Sequence, residues 1–437
     1  MKKLSRYSHI FSTDQGFFIY SGLTNSFAKI DEEIYQILLN KDLESLTVEE
    51  RELLLDLKFL AKKDEEDTFF NKQKFIYNNN NYNYQTLGLA IVPTTNCNFS
   101  CFYCFETNKT KTIMNDDTID NLITFIKSYE DIKILDVAWY GGEPLLGFKV
   151  IKKIIGRIKK DLSHLKFFHT LVTNGSLLTK EISEFFNDNS LSGMQVTLDG
   201  DEMRHDKVRF YKSGKGSFNK ILDNLDVFFK YNQKTQVSLR INLDKHNEDN
   251  FNALFVMLHE RYKGKLLYIY PAFIEDYTDM PNCEILNRYD KIKFTIKKYK
   301  ELGFTFDINT EFSVGGCGAT QKNYFLVGSE GELYKCWNDV GNPEMIVGHI
   351  NNSEITNSKV LYRYISGETM YDDPKCKDCS ILPICSGGCQ WQRNANKYAN
   401  KNYNLCDLKK GSLDKFLEVL YLESQKQNTI PVKKVNL

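Results

Sequence analysis

Leu87-Gly88-Leu89-Ala90-Ile91-Val92-Pro93-Thr94-Thr95-Asn96-Cys97-Asn98-Phe99-Ser100-Cys101-Phe102-Tyr103-Cys104 runs from an apolar stretch into a loop with three cysteines. Residues 87–92 read as a buried strand. Short β-rich runs recur at 134–139, 167–172, 194–198, 236–241 and 266–270, with amphipathic stretches between them. Within 116–130, for example, Ile119, Leu122, Ile123 and Ile126 share one helix face. Six strand–helix units predict parallel strands, in an open barrel or a doubly wound sheet. Either arrangement puts chemistry at the carboxyl ends of the strands, which is where the cysteine loop falls.

The triplet Cys97-x3-Cys101-x2-Cys104 has two readings. Three thiolates at this spacing can hold three irons of a 4Fe–4S cube and leave the fourth iron free. They also suit a zinc knuckle, although zinc normally takes four protein ligands or three plus water. Spacing alone leaves both open.

Outward from this region the rhythm changes on both sides. Residues 8–30 alternate, with turn residues at Asp14-Gln15-Gly16 and Gly22, and predict two or three short strands. Asp31 can cap a helix with Ile34, Ile37 and Leu38 on one face. Thr47-Val48-Glu49-Glu50 is a capping box before a helix bearing Leu53, Leu54, Leu57 and Leu60. The charged run 62–67 and the Asn-rich run 78–83 read as a linker. Past residue 308, glycine and cysteine dominate up to Cys406. A hairpin is expected at 324–327 and 332–334, turning through Gly328-Ser329-Glu330-Gly331. A helix over 411–423 closes the chain. The expected division is thus a small α+β unit at 1–80, an αβ core at 84–307, a cysteine-rich domain at 308–410, and a helix and tail at 411–437.

The chain has 437 residues, with Lys plus Arg equal to Asp plus Glu at 57 each, so nothing in its charge calls for a nucleic-acid or membrane partner. No signal-peptide core is evident, and no run approaches the ~18 apolar residues of a membrane span. A cytoplasmic location is expected. There the 11 cysteines would be reduced and serve better as metal ligands than as disulfides.

Beyond the second strand comes Trp139-Tyr140-Gly141-Gly142-Glu143-Pro144. Together with the cysteine triplet and Tyr103 just before its third member, this resembles the radical S-adenosylmethionine (SAM) superfamily. The resemblance implies a partial (β/α)6 TIM-type barrel and a 4Fe–4S cluster on Cys97, Cys101 and Cys104. The open iron would chelate the amino and carboxylate groups of S-adenosyl-L-methionine. Gly141, Gly142 and Glu143 would bind its amino group, since a carboxylate pairs with an ammonium and glycines admit a close backbone. Thr173 and Asn174 end the third strand and Asp199 ends the fourth. Arg240 and Asn242 on the fifth are further candidates for cofactor carboxylate and ribose contacts. Asp199-Gly200-x4-His205-Asp206-x2-Arg209 resembles a stretch common in peptide-modifying members. The resemblance assigns no catalytic base.

Cys317, Cys336, Cys376, Cys379, Cys385, Cys389 and Cys406 resemble in spacing the seven-cysteine SPASM domain, which usually carries two auxiliary 4Fe–4S clusters. By position Cys376, Cys379, Cys385 and Cys406 would hold the outer cluster, and Cys317, Cys336 and Cys389 the inner one. The inner set is a ligand short, with Cys283 a distant candidate donor. The resemblance implies a ribosomal-peptide maturase that forms a thioether or carbon–carbon crosslink. Its partners would be a peptide substrate with a leader segment, bound by a winged-helix-like N-terminal unit, and an electron donor such as flavodoxin or ferredoxin. Two alternatives stand beside it. One is an anaerobic sulfatase-maturating (formylglycine-generating) enzyme. Those carry an Asp directly after the cysteine that here is Cys336, where this chain has Trp337. The other is a non-catalytic iron–sulfur scaffold or electron carrier.

Overall fold

Apolar residues on alternate positions turn the repeating runs into a single sheet. The computed structural model describes residues 3–104, 111–275, 284–302, 316–352 and 354–427. Contacts gather the chain into two units, one of residues 83–291 with 318–366, the other of 1–82, 292–317 and 367–437. The expected boundaries cut the chain in linear order, whereas both contact-defined units are assembled from separated segments.

In the first unit six strands follow in order: β1 (Thr86–Ile91), β2 (Ile134–Trp139), β3 (Lys166–Thr173), β4 (Gly193–Leu198), β5 (Gln236–Leu243) and β6 (Leu267–Phe273). Each pairs in parallel with the next. Because the order never reverses, right-handed crossovers put every connecting helix on one face. That is a singly wound open barrel, and it removes the doubly wound alternative. Helices α1 (Asp116–Lys127), α2 (Phe148–Asp161), α3 (Lys180–Asp188), α4 (Phe218–Tyr231) and α5 (Phe251–Arg261) make the crossovers. Ile119, Leu122, Ile123 and Ile126 of α1 are buried as expected, and Ile151, Ile154, Ile155 and Ile158 do the same on α2. Each such burial contributes about 1.5–3 kcal/mol. On β5 Val237, Leu239, Ile241 and Leu243 are buried on one face, so Ser238, Arg240 and Asn242 point to the other.

The expected hairpin forms as β7 (Tyr324–Val327) and β8 (Glu332–Tyr334), but it joins the barrel sheet. β7 pairs in parallel with β1, and β8 leads to β9 (Gly348–His349) and β10 (Glu354–Ile355), completing ten strands. Ala90, Val92, Tyr140, Leu326 and Tyr334 form one buried cluster across this junction.

In the second unit Ser8–Thr13, Gly16–Ser21 and Ser26–Ile30 make an antiparallel sheet. Ile19, Ala28 and Ile30 pack on Ile34, Leu38 and Leu54 of two helices, and the Thr47 capping box is present. The opposite sheet face, with Phe11, Phe18, Tyr20 and Phe27, is buried by Ile381, Ile384, Leu413 and Leu417. The closing helix is Leu413–Gln427.

The expected linker is instead largely the helix Glu65–Asn81. Its buried stripe is Glu66, Phe70, Gln73, Tyr77 and Asn81, helical in period but mostly polar, so hydrophobic periodicity could not reveal it. Glu66 is 4% exposed and accepts bonds from Lys3 Nζ at 2.8 Å, Ser5 Oγ at 3.2 Å, the Arg6 backbone N–H at 2.7 Å and Arg6 Nε at 3.1 Å. Burial alone would raise its pKa, yet these donors hold it below the usual carboxylate value. A depressed folded-state pKa gives stability that is full above the unfolded pKa and fades as pH falls through the folded one. Glu66→Gln is therefore expected to cost about 1–3 kcal/mol at neutral pH and progressively less on acidification. Urea melts of both proteins at several pH values check this, and a pH-independent difference would contradict it.

Candidate active site

The cysteine loop leaves β1 through Pro93-Thr94-Thr95-Asn96 and is fastened from three sides. At the end of β2, the Gly142 N–H donates to Thr94 O at 3.3 Å and the Glu143 N–H to Asn96 O at 2.8 Å. At the end of β3, Asn98 Nδ2 donates to Ser176 Oγ at 2.9 Å and Asn174 Nδ2 to Asn98 Oδ1 at 2.8 Å. Beyond β4, the Ser100 N–H donates to Phe210 O at 2.9 Å and Lys212 N–H to Asn98 O at 3.0 Å.

Close approach explains the paired glycines. A Cβ on Gly141 would lie 2.5 Å from Thr94 O, and one on Gly142 2.4 Å from Asn96 O. Gly141 also has φ of +128°, a region open to glycine. The same two residues that the family resemblance assigns to the cofactor are thus needed to seat the cysteine loop.

Glu143 is fully buried. Its carboxylate accepts from Thr173 Oγ1 at 2.7 Å, the Asn174 N–H at 2.7 Å and the Leu145 N–H at 3.0 Å. Burial raises its pKa against the pull of these donors. A carboxylate offers about four acceptor sites, so these bonds leave room for one more donor.

Cys97, Cys101 and Cys104 are all partly buried, and none is in a disulfide. Burial pushes Cys97 up to about 12 despite the Phe99 N–H, which lies 3.4 Å from its sulfur. Burial also raises Cys101, opposed by Arg209. Such thiols lose their protons to a bound cation that replaces solvation. Among the described residues no three His, Cys, Asp or Glu groups close around a single ion. A cube, whose thiolates sit on separate irons, needs no such tight grouping.

Beside the thiols Tyr103 Oη accepts from Arg209 Nη1 at 2.7 Å and from Asn242 Nδ2 at 3.1 Å. Arg240 Nε donates to Asn242 Oδ1 at 2.9 Å. Asp199 is 2% exposed, and neither carboxylate oxygen makes a well-formed hydrogen bond, although Arg209, Tyr103, Arg204 and Arg240 surround it. Burial raises its pKa. Buried acceptors at a strand end, with Tyr103 as the neighbouring hydroxyl, suit a donor such as a sugar hydroxyl. The strand ends thus gather Gly141, Gly142, Glu143, Thr173, Asn174, Asp199, Arg240 and Asn242 round the cysteine loop. Three thiols, spare acceptors and a seated loop fit an iron–sulfur cluster with an amino-acid-bearing nucleoside.

In the Asp199–Arg209 stretch the roles divide. His205 accepts the Asp199 N–H through Nδ1 at 3.2 Å and lies 3.0 Å from Ser217 Oγ, while Asp206 accepts the Ser217 and Phe218 N–H groups at the start of α4. Those two residues hold the turn, while Asp199 and Arg209 reach the site. Asn98 and Ser176 were not foreseen; an Asn between two cysteines carries no distinguishing sequence signal.

Cys376, Cys379, Cys385 and Cys406 line one cavity of about 610 Å³. Cys389 is outside its lining and precedes the helix Gln390–Tyr398. Cys317 is exposed and Cys336 precedes the turn Trp337–Asp339. They belong to different contact-defined units. The candidate donor Cys283 lies outside the described residues.

Residues 91–258 match the family described as the Radical SAM superfamily. The chain carries a radical SAM domain. The cofactors of this superfamily are a 4Fe–4S cluster and SAM, and the radical SAM chain is an enzyme, which sets aside a mere scaffold. Over 374 residues it is 25% identical to a cysteine-type anaerobic sulfatase-maturating enzyme of Clostridium novyi, covering 77% of this chain and 96% of that protein. It is 23% identical to the radical SAM cyclopropyl synthase TigE of Paramaledivibacter caminithermalis, covering 95% of each. The fold is similar to anSMEcpe with bound AdoMet and Cp18Cys peptide, with TM-score 0.60, 20% identity and coverage of 79% and 100%. It is also similar to Streptococcus suis SuiB bound to its precursor peptide SuiA, with TM-score 0.54, 16% identity and coverage of 93% and 99%. Among the described residues no helix is long and apolar enough to cross a membrane.

Proposed function

We propose that this radical SAM enzyme matures a ribosomally made peptide by installing a thioether or carbon–carbon crosslink. The observation that carries the reading is Trp337. It stands where sulfatase-maturating enzymes keep an Asp, and its ring packs edge-on against Tyr140 at 4.1 Å while its N–H donates to Tyr324 Oη at 3.1 Å. The nearest substitute, Asp339, is 2% exposed and accepts from Tyr364 Oη at 2.7 Å. A buried, engaged carboxylate is poorly placed to take a substrate proton.

Coverage supports the same side: 95% of the chain matches TigE, against 77% for the sulfatase-maturating relative. The N-terminal sheet offers a recognition edge. Ser26–Ile30 pairs only with Gly16–Ser21 among the described residues, whereas His9 on the other edge strand meets Ser380 O at 3.2 Å. A leader could add to the free edge as a strand. The sulfatase-maturating reading keeps in its favour the 25% identity to that enzyme and the 26% identity to a serine-type counterpart.

The bound cluster and SAM would supply one-electron cleavage of the sulfonium bond and a 5′-deoxyadenosyl radical. This chain's residues do the positioning. Cys97, Cys101 and Cys104 hold the cluster. Glu143, fixed by Thr173 and Asn174, would take the amino group of SAM. Asp199, Arg240 and Asn242 meet the ribose and carboxylate. Cys376, Cys379, Cys385 and Cys406 hold the outer auxiliary cluster, and Cys317, Cys336 and Cys389 serve the inner one. A flavodoxin or ferredoxin would be the donor. Each crosslink would remove two hydrogens from the peptide, one as an atom to the radical that bound SAM would supply and one as a proton plus an electron, and the electron would pass to clusters held by the C-terminal cysteines.

Co-expression with a short peptide encoded beside its gene, followed by mass spectrometry, tests this. Loss of two hydrogens per linkage is expected. An unmodified thiol-bearing peptide, together with formylglycine in a sulfatase fragment, would overturn it in favour of the alternative.

A further inference from the structure

A cation, Arg393, lines the cavity shared by Cys376, Cys379, Cys385 and Cys406. The Arg393 side chain is 4% exposed. Its Nη1 bonds Asp373 Oδ2 at 2.9 Å and lies 3.9 Å from Glu368 Oε1, while Nη2 donates to Gly387 O at 3.0 Å and reaches Cys376 Sγ at 4.0 Å. Asp373 Oδ2 is itself 3.6 Å from Cys376 Sγ. The guanidinium and the carboxylate therefore lie together beside a candidate cluster thiolate, with the carboxylate the nearer of the two.

Burying such a cation is costly unless anions surround it. Asp373 offsets part of that cost, Glu368 is shared with Lys397 at 2.6 Å, and a cube carrying four thiolates would be the remaining anion. Gly387 matters as well: its N–H lies 3.4 Å from Cys385 Sγ, and φ of +83° turns its carbonyl to Arg393. One short loop thus presents an N–H to one thiolate and fixes the cation beside another.

We propose that Arg393 is a positioning residue that raises the reduction potential of the outer auxiliary cluster, with Asp373 orienting it and opposing its charge. The inference rests on the reading of these four cysteines as ligands. Positive charge and N–H···S bonds stabilise the more negative, reduced cube. Arg393→Gln lowers the potential, Arg393→Lys restores it in part, and Asp373→Asn raises it.

The test is an EPR-monitored redox titration of the anaerobically reconstituted full chain, with iron counted in each variant. Cys379→Ala identifies the outer cluster by the signal and the roughly four irons it removes. If it removes none, the ligand reading fails and the inference with it. If iron is retained and Arg393→Gln leaves the potential unchanged, or shifts it in the same direction as Asp373→Asn, the inference alone is overturned. Should Arg393→Gln fail to load iron, Asp373→Asn decides: an upward shift supports the proposal and no shift refutes it.

Discussion

Gly142→Ala leaves the protein folded but unable to hold its first cluster. The added Cβ meets Asn96 O at 2.4 Å, Thr95 O at 2.5 Å and Asn96 C at 2.6 Å. All are backbone atoms, so no side chain can rotate away. The segment just before Cys97 must move, and the Glu143 N–H bond to Asn96 O goes with it. The cost is about 2–4 kcal/mol, concentrated on the loop rather than the barrel. Iron should fall by about four per chain while far-ultraviolet circular dichroism is kept. Gly156→Ala is the control. It lies on α2 with nothing within 4 Å of an added Cβ, and should be neutral or stabilising by about 0.5–1 kcal/mol. Equal iron loading in both variants would contradict the account.

Cys101→Ala is expected to be as severe without disturbing the backbone. Removal of one thiolate leaves two protein ligands for a cube that needs three, so iron drops from about twelve to about eight. Cleavage of SAM should fall by roughly a thousandfold or more, because no electron reaches the sulfonium. The auxiliary clusters should persist, since Cys376, Cys379, Cys385 and Cys406 stand in their own cavity. Iron analysis with EPR of the reduced variant checks both halves. A variant that kept all its iron would remove Cys101 from the ligand set.

What the sequence disclosed follows from which forces leave local marks. Each barrel strand was legible to within a few residues, because burying alternate side chains leaves a period-two pattern on β2 to β5 and burial on both faces leaves a continuous apolar run on β1. The hairpin 324–327 and 332–334 was legible from its turn, but its parallel pairing with β1 was not. That pairing is between residues far apart in sequence and has no local signature. The helix Glu65–Asn81 hid because Glu66, Gln73 and Asn81 alternate with Phe70 and Tyr77 along its buried stripe and no aliphatic side chain marks it. The site shows the same division. Gly141, Gly142 and Glu143 were recognisable as a group, yet their first structural duty, seating the backbone of residues 94–96, emerges only from the distances. Within the stretch that resembles peptide-modifying members, His205 and Asp206 serve the turn, while Arg209 reaches Tyr103. Only three-dimensional direction separates them.

The central claim, that Cys97, Cys101 and Cys104 hold a cluster that reductively cleaves SAM, has one direct test. The anaerobically reconstituted chain is reduced with dithionite in the presence of SAM, and the quenched mixture is analysed for 5′-deoxyadenosine. The account predicts 5′-deoxyadenosine and methionine in equal amounts. A chain loaded with about twelve irons that forms neither would contradict it.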